Sequence, residues 1–165
     1  MTADLVDRAL AVRGGLLAVS LDEEPDAFLD AIRDQALGLG DGHREVHVRL
    51  VLGQACRTAH QAVPHLVAAL QLPYAASRGW SDLLEALSDR EVSRQEVVVV
   101  ADAADLLRHE DLDTWRELVR SLFTPYLCLG GGWQTLVLVD STDRWARSRF
   151  GSAADAEAAA AHPAA

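Results

Sequence analysis

The chain of 165 residues contains no lysine and only two cysteines, Cys56 and Cys128, which lie far apart in the sequence. Two such distant cysteines do not make the dense disulfide framework of a small secreted domain, so we expect both thiols to be reduced. All 15 cationic residues are arginine, and with 25 acidic residues they give a formal net charge of −10. This balance disfavours nucleic acid as a partner, because phosphate binding needs clustered cations.

Long apolar runs are also missing from the sequence. No stretch approaches the roughly 18 consecutive apolar residues of a membrane-spanning helix. The N-terminus has no charged segment followed by an apolar one, as a secretory signal would have. We therefore expect a cytoplasmic protein without a membrane partner. Hydrophobic residues make up 50% of the chain, which suffices for the core of one domain with extensions.

Motifs of catalysis and cofactor binding are absent as well. The sequence has no GxSxG elbow, no GKS or GKT phosphate-binding loop and no CxxC pair. The glycines at 130–132 precede a predicted strand, whereas a dinucleotide-binding fingerprint lies between a strand and a helix. The run HREVH at 43–47 is out of register with the HExxH zinc motif, and nothing orients His60 or His65 as a base for Cys56. We therefore predict no catalytic residues, no metal, no cofactor and no enzymatic activity.

Hydrophobic patterning predicts helices that alternate with strands. Helices are expected over Thr2–Val12, from Pro25, over Gln61–Leu70, from Trp80 and from Asp111 to before Pro125, and strands over Leu16–Leu21, Val46–Leu52, Val97–Ala101 and Thr135–Asp140. Such alternation is typical of an α/β fold with a small parallel sheet. We expect three strands with helices packed around them, preceded by an N-terminal strand-helix extension over 1–45. The Ala-rich composition of 144–165 predicts a disordered tail.

Acidic residues are concentrated between Trp80 and Asp113, where ten acids stand against three arginines. A solvated acidic face is the simplest interpretation, and a surface that attracts a basic partner is the alternative. Trp80 is expected to face the core. Ser81, Glu85 and Asp89 then follow at i, i+4 and i+8 on the outer side of the helix, with Asp82 beside them.

The segment LVAALQLPYAASRGWSDLLEAL at 66–87 resembles the barstar family, small acidic proteins that bind and block microbial ribonucleases. It has a helix end at Leu70, a Leu-Pro stop at Pro73, a short connection and a second helix that opens at Trp80. The resemblance extends from Val51 to Ser88 and more loosely to Ser141. It implies a barstar-like domain over 46–143.

This resemblance implies a protein that inhibits a small basic ribonuclease by covering the active site of the enzyme with an acidic helix and its preceding loop. The partner-binding residues would be Ala76, Ser77, Arg78, Gly79, Ser81, Asp82, Glu85 and Asp89. Of the two carboxylates that the family places one helical turn apart, the second corresponds to Glu85 and the first to the neutral Ser81. The alternative is an interaction module of the same fold with a different protein partner, in which the N-terminal extension contributes the surface.

Overall fold

The structure is a computed structural model that describes residues 2–12, 14–22, 25–39, 46–92, 94–123 and 132–161. Four parallel strands form one sheet in the order β1-β4-β3-β2: β1 (Gly15–Leu21), β2 (Val46–Leu52), β3 (Gln95–Ala101) and β4 (Trp133–Ser141). The described residues also form the helices α1 (Thr2–Ala11), α2 (Pro25–Leu39), α3 (Ala59–Leu70), α4 (Trp80–Ser88), α5 (Leu112–Phe123), α6 (Thr142–Arg147) and α7 (Gly151–Ala161). None of these helices combines the length and the apolar composition needed to cross a bilayer.

The sheet has one strand more than the sequence predicts. β1 pairs in parallel with β4, from Gly15 opposite Thr135 to Leu21 opposite Ser141. The N-terminal segment, predicted as an extension, therefore contributes a strand to the same sheet. Its side chains are apolar on both sides, as a parallel strand covered on both faces requires. The α/β class with a parallel sheet is confirmed, whereas the count of three strands is wrong.

Helices cover both faces of the sheet. α1 and α2 pack on one face, where Phe28 and Ile32 contact a cluster that includes Val97 and Val99 of β3. α3, α4, α5 and α7 cover the opposite face, toward which the alternate valines of β3 point. Successive side chains of a strand point to opposite faces. The continuous valine run of β3 is therefore explained by a core on each side of the sheet.

Helix α3 begins two residues before the predicted start at Gln61, although Pro64 lies inside it. Two side chains from outside the helix satisfy its first turn. The Thr58 hydroxyl accepts a hydrogen bond from the Gln61 amide at 3.2 Å, and Glu110 Oε1 accepts one from the Ala59 amide at 2.7 Å. These caps stabilise the helix start and offset the hydrogen bond that proline cannot donate.

The segment predicted as a disordered tail, 144–165, is helical in its described part. α6 and α7 occupy most of 142–161 and pack onto β1, β4 and α5. The Phe150 ring between them stacks on Trp115, with centroids 5.3 Å apart. Arg120 of α5 donates to Glu157 of α7 at 2.7 Å. Alanine has the highest helix propensity, so the composition that suggested disorder also suits a helix held by these anchors.

Candidate functional site

The carboxyl edge of the sheet is the first candidate site. In open α/β sheets, ligands bind outside the carboxyl ends of the strands, where adjacent strands lead to helices on opposite faces. Here β1 leads to α2 on one face, and its neighbour β4 leads through α6 to α7 on the other. The point of reversal therefore lies between the ends of these two strands, at Leu21 and Ser141.

The side chain of Thr142 spans the crevice at this point. Thr142 Oγ1 donates a hydrogen bond to Asp22 Oδ1 at 3.0 Å and lies 3.5 Å from the Leu21 carbonyl oxygen. Since Leu21 and Asp22 end β1 and Thr142 begins α6, these contacts join the two sides of the crevice directly.

An ion-pair network fills the adjacent part of the edge, and we call it the edge network: Asp102, Asp105, Asp140, Arg57, Arg108 and Arg144. The Arg144 guanidinium contacts Asp102, lies 2.7 Å from Asp105 Oδ2 and lies 3.5 Å from Asp140 Oδ1. The Asp105 carboxylate also forms ion pairs with the guanidinium groups of Arg108, at 2.8 Å, and Arg57, at 3.5 Å. Three carboxylates face three guanidinium groups, so the edge network has no formal net charge.

These ion pairs shift the pKa values of Asp105 and Arg144 toward the charged forms. Burial alone would raise the pKa of Asp105, but the hydrogen bond from Arg108 and the charges of Arg144, Arg57 and Arg108 outweigh it and lower the pKa below its usual value. Burial would likewise lower the pKa of Arg144, yet the hydrogen bond to Asp102 and three neighbouring carboxylates raise it. The surroundings of Asp105 and Arg144 therefore favour the charged forms of both groups.

Asp102 binds Arg144 and does not cap the 3-10 turn that follows it. Its backbone is left-handed, with φ of 52°, and its side chain forms no cap hydrogen bond but binds Arg144. The adjacent loop is packed so closely that a Cβ added to Gly53 would lie 2.1 Å from the Asp102 carbonyl oxygen. Sequence analysis missed the edge network, although Asp102 and Asp140 lie where two predicted strands end.

A second candidate site surrounds the 3-10 segment Tyr74–Arg78 that precedes α4. This segment, which we call the ridge, separates two surface depressions. The acidic groove, of about 720 Å³, is lined by Arg49, Leu70, Gln71, Leu72, Pro73, Ala75, Ala76, Asp82, Glu85, Ala86, Asp89, Arg90 and Glu91. The tryptophan groove, of about 420 Å³, is lined by Ala59, His60, Val63, Pro64, Ser77, Arg78, Gly79 and Trp80. Tyr74 on the ridge is 83% exposed.

Seven of the eight predicted partner-binding residues line one of these two depressions, and Ser81 lines neither. Asp82, Glu85 and Asp89 line the acidic groove, and Ser77, Arg78 and Gly79 line the tryptophan groove. Ser81 and Glu85 of α4 and Asp89 directly after it are all exposed, as their spacing predicts. Ala76 is 1% exposed and belongs to the core, so its side chain offers almost no contact surface.

Trp80 is only partly a core residue. Its ring packs against the core cluster, but the side chain is half-buried and lines the tryptophan groove. Its Nε1 donates to Glu117 Oε2 of α5 at 3.4 Å. The tryptophan therefore both anchors the start of α4 and presents part of its surface to the solvent.

The acidic groove retains its negative charge because its two arginines are engaged elsewhere. Arg90 binds the buried Glu96 with both terminal nitrogens, one of them at 2.7 Å, and Arg49 lies 3.6 Å from the same carboxylate. The four other carboxylates belong to Asp82, Glu85, Asp89 and Glu91. Within the described part of the chain, none of these four side chains forms an ion pair or a hydrogen bond.

The candidates for nucleophilic chemistry have structural roles. Cys56 is buried, and desolvation raises the pKa of its thiol to about 12. His65 Nε2 accepts a hydrogen bond from the Leu52 amide at 3.0 Å. The described residues contain no group of three or more His, Cys, Asp or Glu side chains arranged to hold a metal ion. Cys128 and residues 43–45 of the HREVH run lie outside the described residues.

Comparisons with known proteins bear on the fold. No model of a protein family matches the chain, and no curated protein matches it. Among solved structures, the chain is similar to the ORC2 protein of Aeropyrum pernix, which was solved in ADPNP and ADP complexes, with a TM-score of 0.64 and 13% identity. The similarity covers 93% of this chain and 43% of the ORC2 chain, so this chain corresponds to less than half of that protein. At this identity the likeness concerns the fold alone.

The resemblance to the barstar family is therefore wrong. The helix, Leu-Pro stop and second helix over 66–87 exist as predicted, but they belong to a four-stranded fold similar to that of ORC2. The inference that the chain inhibits a basic ribonuclease rested on the barstar resemblance and is wrong with it. A local succession of elements does not specify which sheet the elements pack on, and here the pairing of β1 with β4 decided the fold.

Proposed function

We propose that this chain is a non-catalytic protein-binding domain that recognises a cationic surface of a partner protein through the acidic groove and the ridge. The observation that carries the proposal is the set of four unpaired carboxylates on one depression, at Asp82, Glu85, Asp89 and Glu91. A fold gains little from like charges held together on one helix and its end. A cationic partner would turn that repulsion into attraction and would be steered toward the surface during association.

The ridge supplies the other feature of a protein contact. Tyr74 is one of two large hydrophobic residues that are highly exposed among the described residues. Arg78 and Trp80 lie at the other end of the ridge, beside the tryptophan groove. Tyrosine, tryptophan and arginine are the residue types that dominate binding energy at protein interfaces. The ridge carries the tyrosine and the arginine, and the tryptophan follows two residues after its end, so the three side chain types lie together on one short surface segment that suits contact with a partner.

The non-catalytic part of the proposal is supported by the surroundings of the side chains that could do chemistry, which are buried, hydrogen-bonded or paired with arginines. The thiol of Cys56 is buried with its pKa raised to about 12, and His65 accepts a backbone hydrogen bond instead of activating a nucleophile. The aspartates of the edge network are bound to arginines. None of these groups is poised to transfer a proton to or from a substrate.

The test is affinity capture with variants matched in charge. Immobilised wild-type protein, Glu85→Arg and Asp34→Arg are incubated with lysate of the native cells, and retained proteins are quantified by mass spectrometry. Glu85→Arg reverses a charge in the acidic groove. Asp34→Arg makes the same change at an exposed position of α2, on the opposite face of the sheet. A fourth bait, Tyr74→Ala, removes the exposed aromatic ring of the ridge.

We expect a basic protein that wild type and Asp34→Arg retain equally and that Glu85→Arg and Tyr74→Ala retain at least about tenfold less, as for central contact residues. Retention by wild type should fall at high salt, because exposed charges are screened. The proposal is overturned if every retained protein is retained equally by all four baits, or if wild type retains none at low salt.

A further inference from the structure

We infer that this chain does not bind a magnesium nucleotide at the carboxyl edge of its sheet, because the edge network and the short β1-α2 connection replace the groups that such a ligand needs. The similar ORC2 structure was solved with ADPNP and ADP, so that protein binds a nucleotide. Whether this chain could do the same depends on its own residues at the edge.

The connection between β1 and α2 does not suit a phosphate. β1 ends at Leu21 and α2 starts at Pro25, which leaves three residues, Asp22, Glu23 and Glu24, all of them acidic. A phosphate-binding loop instead surrounds the anion with glycine-rich backbone and adds a lysine. Pro25 also removes one of the N–H groups that a helix N-terminus offers to an anion. The acidic sequence of this connection, of which the structure describes Asp22, and the proline at the helix start oppose phosphate binding here.

The carboxylates at the ends of β3 and β4 are already bound by an arginine of the chain. Asp102 and Asp140 are the kind of ligand that holds magnesium beside nucleotide phosphates. Both carboxylates instead bind Arg144. The oxygens of Asp140 also accept hydrogen bonds from the backbone amides of Ala104, at 2.8 Å, and Ser141, at 2.7 Å. A guanidinium of the chain itself supplies the positive charge that a metal ion would otherwise supply.

Binding of a partner at the acidic groove, which rests on the proposed function, is then independent of nucleotide, since Asp102 and Asp140 are already bound to Arg144. The first experiment is isothermal titration of the full chain with magnesium-ADPNP and magnesium-ADP up to about 1 mM, a range that covers ordinary nucleotide affinities. We expect no saturable heat with either ligand. Saturable binding of one equivalent of either nucleotide overturns the inference.

A second experiment tests the role of Arg144 directly. In Arg144→Met the three aspartates lose their shared cation. We expect magnesium chloride at 10 mM to raise the melting temperature of this variant, and the rise should exceed that of wild type by about 3 °C or more. Arg147→Met is the matched control, because Arg147 is exposed on the same helix and pairs with Asp143. An equal response of all three proteins to magnesium contradicts the assigned role. If Arg144→Met does not fold, the titration of the wild-type chain still decides the inference.

Discussion

The indole of Trp115 stacks on the ring of Phe150, with centroids 5.3 Å apart and ring planes 13° apart. Both side chains are fully buried. The pair joins α5 to the residue that immediately precedes α7, so an Ala-rich helix with few large side chains of its own is attached to the core at its first turn. Glu157 strengthens the attachment further along α7 through Arg120 and Arg116.

Phe150→Ala should therefore destabilise the whole domain. We expect the free energy of unfolding to fall by about 3–5 kcal/mol, the range for a fully buried phenylalanine. Ser152→Ala, at an exposed position of α7, should change it by less than about 0.5 kcal/mol. Urea unfolding followed by circular dichroism measures both. Equal stability of the two variants would show that α7 is not part of the cooperative unit.

Gly53→Ala should be poorly tolerated, because the new Cβ would lie 2.1 Å from the Asp102 carbonyl oxygen. That oxygen belongs to the backbone, so it cannot move aside as the end of a flexible side chain could. We expect a loss of about 1–3 kcal/mol, as for overpacking of a tight site. Gly79→Ala is the control, since its nearest neighbour would be Asp82 Oδ2 at 3.8 Å and its φ of 172° is extended. Comparable urea midpoints for both alanine variants would be inconsistent with the close approach of these two loops.

Asp105 should contribute to acid sensitivity. Its pKa in the folded state is lowered from 3.8, so the unfolded chain takes up a proton at higher pH than the folded protein. The stabilisation is therefore present above about pH 4 and is lost as the pH falls through the lower folded-state pKa. We expect Asp105→Asn to be less stable than wild type at pH 7, with the difference shrinking below pH 4, whereas Asp34→Asn should match wild type throughout. Urea unfolding at pH 7, 4 and 3 measures this, and a difference that is constant with pH would argue against an ionised Asp105.

Cys56 should be unreactive in the folded protein. Its pKa of about 12, against 9.0 for an unperturbed thiol, reduces the thiolate fraction at pH 8 about a thousandfold. Iodoacetamide at pH 8 is expected to label Cys56 only after urea is added. Mass spectrometry of the peptide that contains Cys56 separates this label from any on Cys128. Labelling of native Cys56 at the rate seen in urea would contradict its burial.

The amino-acid sequence by itself determined the local elements of this protein. The limits of β2 at Val46 and Leu52 and the start of α4 at Trp80 agree with the predictions, because hydrophobic periodicity, proline and glycine act within a few residues. The outward placement of Ser81, Glu85 and Asp89 also follows from helical spacing alone. The predicted contact of these residues with a protein partner stays a prediction, as does a cytoplasmic location.

Only the tertiary structure decided how the elements combine. Pairing of β1 with β4 joins residues about 120 positions apart, such as Leu16 and Leu136, and no local pattern specifies that choice. Arg144 meets Asp102 and Asp105 because two parallel strands end at the same edge of the sheet. The same packing turned an Ala-rich segment into a docked helix. Strand order, ion-pair partners and the docking of α7 depend on contacts between distant segments, whose free energy appears only when the whole core is formed.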